Sequence, residues 1–299
     1  MTIFSTDKAK TEGDAPAFKL FDKGVLQQIS PSMVSEYKSC PQKSGFRRVI
    51  GIRSKRGKRY FAKGGAFDLA TEKLFRAVGA GQKFSVDEAV QLALVEYDRR
   101  VKEEDVEATK EQEKEDRGDL TKALPIYWEK LGQHVKVSTS IEPQSEITVT
   151  LPSGLKVLSI LDVVEEVSKK QLRVVDVKTA SSQWKDGKAQ EEVQTDVYPW
   201  ALSHAAPKGM SVVGISYHVT EPQVKSANVK AHEVPIRPDR IKKLPMLLQV
   251  YGDAITDLYK RGGMAPPRIS MWECGTCDFR RECEEAYGGT RPTFSNRKD

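Results

Sequence analysis

The chain contains no run of about 18 or more apolar residues, so nothing in it is long and apolar enough to cross a bilayer as a helix. Its opening residues, MTIFSTDKAKTEGDAPAF, carry charges with no apolar core behind them, unlike a secretory signal. A cytoplasmic protein (host cytoplasm if the source is viral) with no membrane partner is therefore expected. No Gly-rich phosphate loop followed by Lys-Ser/Thr is present, so ATP-driven unwinding is not expected from this chain. Internal repeats are absent. Cysteine is scarce, at 4 of 299 residues, too few for a disulfide-built scaffold. Histidine is equally scarce: His134, His204, His218 and His232 are scattered and stand beside no other candidate catalytic group, which argues against a histidine-based hydrolase.

What is present describes a globular protein. Hydrophobic residues make up 38%, and the length allows one elaborated domain or two small ones with a substantial core. A net charge of +6, from 48 basic and 42 acidic residues, says little about partners, but its distribution says more. Between Arg47 and Lys63 lie Arg47, Arg48, Arg53, Lys55, Arg56, Lys58, Arg59 and Lys63 and no acid. Such a segment is either a solvated loop or a surface for a phosphate backbone, and the second reading makes these eight candidate nucleic-acid contacts.

Along the chain, residues 1–27 read as a loose leader. Ser30-Pro31 starts a helix, as N-cap and first helical residue, that ends near Cys40-Pro41. Gly64-Gly65 opens a second helix, and the capping-box pattern Ser85-x-x-Glu88 opens a third expected to run to about Arg117. A shorter helical piece carries Tyr127 and Trp128. The period then changes. Ser145–Leu151 alternates, while Leu155–Val167 and Leu172–Thr179 are β-branched runs joined by a turn at Ser168–Gln171. A helix over Gln190–Ser203 kinked at Pro199 follows, then strands Ser211–Thr220 and Asn228–Ile236. A long helix, Asp239–Arg261, is stopped by Gly262-Gly263. The expected organisation is a helical region over 28–135, a mixed α/β core over 136–265 and a cysteine-rich segment over 266–299, with 28–299 one compact unit.

The chemistry centres on Asp162 in one predicted strand and Asp176-Val177-Lys178 in the next. With an odd number of residues in the intervening loop, Asp162 falls opposite Asp176, and Lys178, two residues on, shares their face. Slippage by one residue would send Asp162 to the other side. Two carboxylates together in apolar strands repel, and a hard divalent cation such as Mg²⁺ or Mn²⁺ resolves the repulsion. A cation there would acidify bound water and hold a phosphodiester oxygen, while Lys178 orients water or offsets charge on the phosphoryl oxygens. The bland alternative is an ordinary surface Asp–Lys pair.

Sixteen residues after Lys178 comes Gln194-x-x-x-Tyr198, an i, i+4 pair on one helix face. With this motif the chain resembles the RecB-like branch of the PD-(D/E)XK nucleases, including Cas4. In that branch an acid near the end of one strand is followed by (D/E)-x-K on the next and Q-x-x-x-Y on a helix. The resemblance implies a restriction-endonuclease-like α/β fold with a mixed central sheet flanked by helices. It implies Asp162, Asp176 and Lys178 as the catalytic core, the Val177 carbonyl as an extra metal ligand, and Gln194 and Tyr198 as positioning residues. The family's upstream histidine ligand is replaced by Asp68, in Gly65-Ala66-Phe67-Asp68, and Ser159 stands where a glycine is common.

Cys40 lies far upstream of Cys274-x2-Cys277-x5-Cys283. Two cysteines at this close spacing converge readily on one metal and a fourth completes the set, and spacing alone leaves zinc and an iron–sulfur cluster open. The Ser32-to-Cys40-Pro41 context and the C-terminal triplet resemble the arrangement of Cas4- and AddB-type nucleases. That resemblance implies a [4Fe–4S] cluster on Cys40, Cys274, Cys277 and Cys283 that staples the two ends of the chain. The implied activity is a metal-dependent DNA exonuclease acting on single-stranded DNA or DNA ends in recombination, repair or replication. Cas4 work in CRISPR adaptation with Cas1- and Cas2-like partners is one alternative. A catalytically inactive DNA-binding or scaffold protein of the same fold is another.

Overall fold

A computed structural model describes residues 20–52, 58–222, 227–268, 274–275 and 277–287. The leader expected over residues 1–27 is ordered at its end. Strands β1 (Phe21–Asp22) and β2 (Val25–Leu26) form a hairpin, Leu26 is buried, and Phe21 stacks on Tyr259 at 4.2 Å. Strand β3 (Gln28–Ile29) follows, then helix α1 (Pro31–Ser39). The Ser30 hydroxyl caps α1 by accepting the Met33 N–H, and Pro31 takes the first turn, where no N–H is needed. A short helix α2 (Pro41–Ser44) leads into a π-helical stretch, Gly45–Ile50.

Helix α3 spans Arg59–Gly79 and so begins well before the expected glycine pair. Gly64 lies inside it because the helix crosses the end of a strand there: a Cβ at Gly64 would stand 3.0 Å from the Thr179 hydroxyl. The third expected helix is two. The Ser85–Glu88 capping box starts α4 (Val86–Glu103), but Asp105 turns left-handed (φ 47°) and a second box, Thr109–Gln112, starts α5 (Lys110–Lys130). Tyr127 and Trp128 belong to this same helix, which runs through Pro125.

The expected strand Leu155–Val167 is also two. Strands β4 (Ser145–Thr150) and β5 (Lys156–Leu161) pair antiparallel and, with β3 parallel on the other side of β5, form a three-stranded sheet. At Asp162 the chain bends and enters a second, four-stranded sheet as β6 (Val163–Ser168). There it pairs antiparallel with β7 (Gln171–Thr179). Strand β8 (Ser211–Glu221) runs parallel to β7, and β9 (Asn228–Pro235) closes the sheet antiparallel to β8. Between β7 and β8 lie α6 (Lys188–Glu191) and α7 (Gln194–Ala205), the latter holding Pro199 within it. Helix α8 (Pro238–Lys260) ends at Gly262 and Gly263, both at positive φ as a helix stop requires. The whole is a mixed α/β fold.

Helices cover both faces of the four-stranded sheet. Leu172 and Val174 of β7 enter a core with Val197, Ala201 and Leu202 of α7 and Leu244 and Leu248 of α8. Val175 and Val177 point the other way, into Phe67 and Leu74 of α3, Tyr97 of α4 and Leu124 of α5. This alternation, with apolar residues on both faces, is what a central strand covered on both sides requires.

The chain ends meet at the start of the π-helical stretch. A Cβ on Gly45 would stand 1.9 Å from the Gly263 carbonyl oxygen, a backbone atom with little room to retreat. Gly45→Ala is therefore expected to destabilise the protein by about 1–3 kcal/mol, read as a lower urea midpoint; an unchanged midpoint would show that the two backbones can separate freely.

Candidate active site

Strand β7 carries the site because its alternation is interrupted by charge. Residues 172, 174, 176 and 178 share one face; the first two are leucine and valine in the core, and the next two are Asp176 and Lys178. Asp176 is 1% exposed, and Lys178 Nζ lies 2.7 Å from its Oδ2. That is close charge pairing, yet neither Asp176 oxygen has a well-directed hydrogen bond.

The antiparallel register places Val163 opposite Val175. Asp162, one residue before Val163, and Asp176, one residue after Val175, come next, with Asp162 at the bend between the sheets. An extra residue near Val167, where the β6–β7 register shifts, supplies the odd loop count. Asp162 stands at the junction of the two sheets and is held from both. Its Oδ2 accepts the Val177 N–H at 2.8 Å, and its Oδ1 accepts Gln144 Nε2 at 3.0 Å. Because an extended residue directs its N–H and C=O to the same edge, the Val177 carbonyl also faces the Asp162 side.

Helix α7 packs over the Asp176 face. Gln194 Nε2 donates to the Tyr198 hydroxyl at 2.8 Å, which fixes this pair one turn apart on the helix. Tyr198 is buried; burial first, and then the charge of Asp176, raise its hydroxyl well above the ordinary phenol range. Asp68, on α3, lies at the open rim of the site, where water reaches it although protein surrounds it. Burial, followed by the charges of Asp162 and Asp176, pushes its carboxyl up to about 7 against the pull of Lys178 and Arg100. Burial likewise pushes Asp176 up to about 7, with Lys178 opposing and Asp162 adding. Burial pulls the Lys178 ammonium down, but Asp176 and Asp162 outweigh it and hold it well above the ordinary lysine value. The structure thus brings Asp68, Asp162, Asp176, Lys178 and Tyr198 into one electrostatic environment.

Among the described residues, no group of three or more His, Cys, Asp or Glu side chains forms a ready cage for a metal ion. The site suits a cation that keeps much of its own water, as Mg²⁺ does, because the buried Asp176 oxygens have unused acceptor capacity beside Asp162. Sequence reasoning missed Gln144. It precedes β4, whose pairing of Ser145 with Leu161 puts Gln144 opposite Asp162, so only the strand register could have revealed it. Arg100 and Glu192, which act on Asp68 and Asp176 through charge, carried no sequence signal.

Cys40, Cys274, Cys277 and Cys283 all line one cavity of about 390 Å³, and no disulfide links them. Lys43, Arg47, Lys58 and Arg268 line it as well, together with Asp278, which pairs with Arg47 and Lys58. Burial raises the Cys277 thiol above its ordinary value, while a backbone N–H from Phe279 and the charge of Lys43 pull it back.

The basic segment is largely committed elsewhere. Arg47 pairs with Glu36 at 2.8 Å and Asp278 at 3.3 Å, Arg48 with Glu36 at 3.1 Å, and Lys58 with Asp278. Arg59 makes a two-pronged contact with buried Asp116 at 2.8 and 3.0 Å, and Lys63 joins Asp116 at 3.0 Å and Asp119 at 2.5 Å. These five cations hold helices together. Arg53, Lys55 and Arg56 lie outside the described residues.

With this geometry established, comparison with known proteins is decisive on family. The sequence pattern of the PD-(D/E)XK nuclease superfamily matches residues 28–284, nearly the whole chain. The chain belongs to the PD-(D/E)XK nuclease superfamily. Its fold is similar to the crystal structure of a putative exonuclease from Eubacterium rectale (TM-score 0.50, 13% identity, 91% of each chain covered). A weaker likeness, to the protein SSO0001, has a TM-score of 0.34 and 12% identity over 84% of this chain and 96% of that one. Among curated proteins none matches. No described helix is long and apolar enough to cross a membrane.

The raised carboxyls give a pH signature to the metal-free protein of this nuclease superfamily. A group whose folded pKa lies above its unfolded value contributes stability that is full below about pH 4 and lost as pH rises through about 7. Asp68→Asn removes that loss. In chelator, the variant should melt higher than wild type at pH 8 and alike near pH 4; equal melting curves at pH 8 would mean that solvent screens the charge of Asp68 completely.

Proposed function

We propose that this PD-(D/E)XK protein is a metal-dependent exodeoxyribonuclease of the Cas4/RecB-like branch, acting on single-stranded DNA or DNA ends in recombination, repair or replication. One observation carries the reading: a fully buried aspartate with unused oxygens, charge-paired to a lysine two residues on and acted on by the charge of a second aspartate, under a helix bearing the Gln194–Tyr198 pair. A structural ion pair would fill its acceptor sites. This one leaves them open beside a solvent-reached rim.

Asp162, Asp176 and the Val177 carbonyl would hold a divalent cation, with Asp68 approaching from α3. When bound, that ion would supply Lewis-acid polarisation of the phosphodiester and acidify water. The chain's own groups do the rest. Lys178 stays protonated beside Asp176, so it contributes a fixed positive charge where the phosphoryl oxygens gain negative charge. Gln144 and the Val177 N–H fix the Asp162 carboxylate, and the Gln194–Tyr198 pair closes the face against water and orients substrate.

The four cysteines, gathered around one cavity, support a [4Fe–4S] cluster of structural role that joins the helix preceding Cys40 to the C-terminal segment. Contacts to the DNA backbone are proposed for Arg53, Lys55 and Arg56 on their charge.

With Mg²⁺ or Mn²⁺ the wild-type protein should degrade linear DNA, and Asp176→Ala and Lys178→Ala should each lower the rate at least about 100-fold. Inertness of the wild type with both metals would favour a binding or scaffold protein instead. For the cysteine centre, anaerobically purified protein should absorb in the visible range. Cys277→Ser should lose that absorbance and melt lower, and an unchanged spectrum with unchanged melting would contradict a bound cluster.

A further inference from the structure

Tyr60 and Phe61 open helix α3, and both are large aromatics left more than half exposed, at 56% and 55%. Consecutive helical side chains diverge by about 100°, yet these two rings sit 4.4 Å apart between centroids, tilted by 48°. Isolated exposed aromatics need no explanation, but an adjacent pair left this exposed does. Their position supplies one. Tyr60 lines a cavity of about 490 Å³ whose wall includes Thr179, the residue after Lys178, together with Ser181, Glu115 and the Lys63–Asp119 ion pair. On its other side, Tyr60 and Phe61 line the cysteine cavity, and Lys58 Nζ lies 5.7 Å from the Tyr60 ring centre. The pair thus stands between the cysteine cavity and the open end of the strand that carries Asp176 and Lys178. Eight residues along the same helix is Asp68, about 12 Å away at 1.5 Å per residue, a span of about three to four stacked nucleotides.

We propose that Tyr60 and Phe61 form a stacking platform for the bases of a single DNA strand, whose backbone then passes Thr179 to reach the carboxylates. This rests on the proposed nuclease reading and deepens it, because it makes an unpaired strand the species delivered to the site. Stacking on aromatic faces tolerates any sequence, since every base has such a face, and it adds affinity without phosphate contacts.

The test measures binding of a labelled oligothymidylate by fluorescence anisotropy, in chelator so that no cleavage occurs. A strand of equal length lacking bases is measured alongside. Replacing both aromatics (Tyr60→Ala with Phe61→Ala) should weaken oligothymidylate binding about tenfold or more. The salt dependence should keep its slope, and the abasic strand should bind wild type and variant alike. Tyr60→Phe should retain binding within about twofold. Should the double variant melt lower than wild type, Tyr60→Ser alone, at an exposed position, replaces it. Wild-type affinity in the folded variant, equal losses on the abasic strand, or no binding by wild type would each overturn the platform. The nuclease reading is tested apart. A wild type that stacks the strand but cleaves nothing with Mg²⁺ or Mn²⁺ would fail that reading while leaving the platform standing.

Discussion

The arrangement of this protein depends on placing a carboxylate inside the central strand of a sheet covered on both faces. Asp176 occupies a position that alternation reserves for a core side chain, following Leu172 and Val174. A buried charge without partners costs several kcal/mol. The surroundings reduce that cost only in part: Lys178 sits at the next same-face position and balances the charge, but the charge of Asp162 adds to the repulsion. An arrangement selected for stability alone would hold a third aliphatic residue there. The remaining imbalance is what suits the site to a divalent cation.

The junction of the two sheets serves the same end. By bending at Asp162, the chain lets one run of β-branched residues contribute to both sheets, with the acid at the only point where neither ladder continues. Its carboxylate then takes over ladder duties, accepting the Val177 N–H that β6 no longer reaches. Asp162 thereby finishes the edge of β7, and its charge acts on Asp176. The proposed metal-holding role and the local backbone satisfaction would use the same atoms, so moving this acid by one residue would lose both.

Some of this was legible in the sequence and some was not, for identifiable reasons. The alternation around Asp176 and Lys178, the i, i+4 pair of Gln194 and Tyr198, and the caps at Ser30 and Ser85 are local patterns whose physics operates within a few residues, and each appears where its pattern indicates. The break at Asp162 was invisible because both halves are β-branched, and only pairing partners distant in sequence separate them. The helix from Ser85 continued past Glu103 in the sequence reading because charged residues fit a helix as well as a loop. The left-handed Asp105 and the Thr109 cap decide otherwise. Of the basic run between Arg47 and Lys63, the described cations meet acids that arrive from elsewhere in the chain, Glu36, Asp116, Asp119 and Asp278, so the local excess of charge is partly balanced in three dimensions.

Those ion pairs bear on why the cysteines lie where they do. The region joining the chain's two ends has a small apolar cluster, Phe46, Phe279 and Cys283, set apart from the two larger cores. Its other attachments are polar. The Gln42 amide, wholly buried, donates to the Gly263 carbonyl and accepts from the Ala265 N–H at 2.7 Å and the Tyr287 hydroxyl at 2.7 Å. Arg47 bridges Glu36 and Asp278. Directional bonds of this kind fix geometry well but each contributes only about 1 kcal/mol net, and a cluster of three side chains buries little surface. A segment so attached frays unless a stronger link is added, as small apolar cores generally require. The hollow lined by four cysteines opens at this junction, so the proposed cluster would close the chain there.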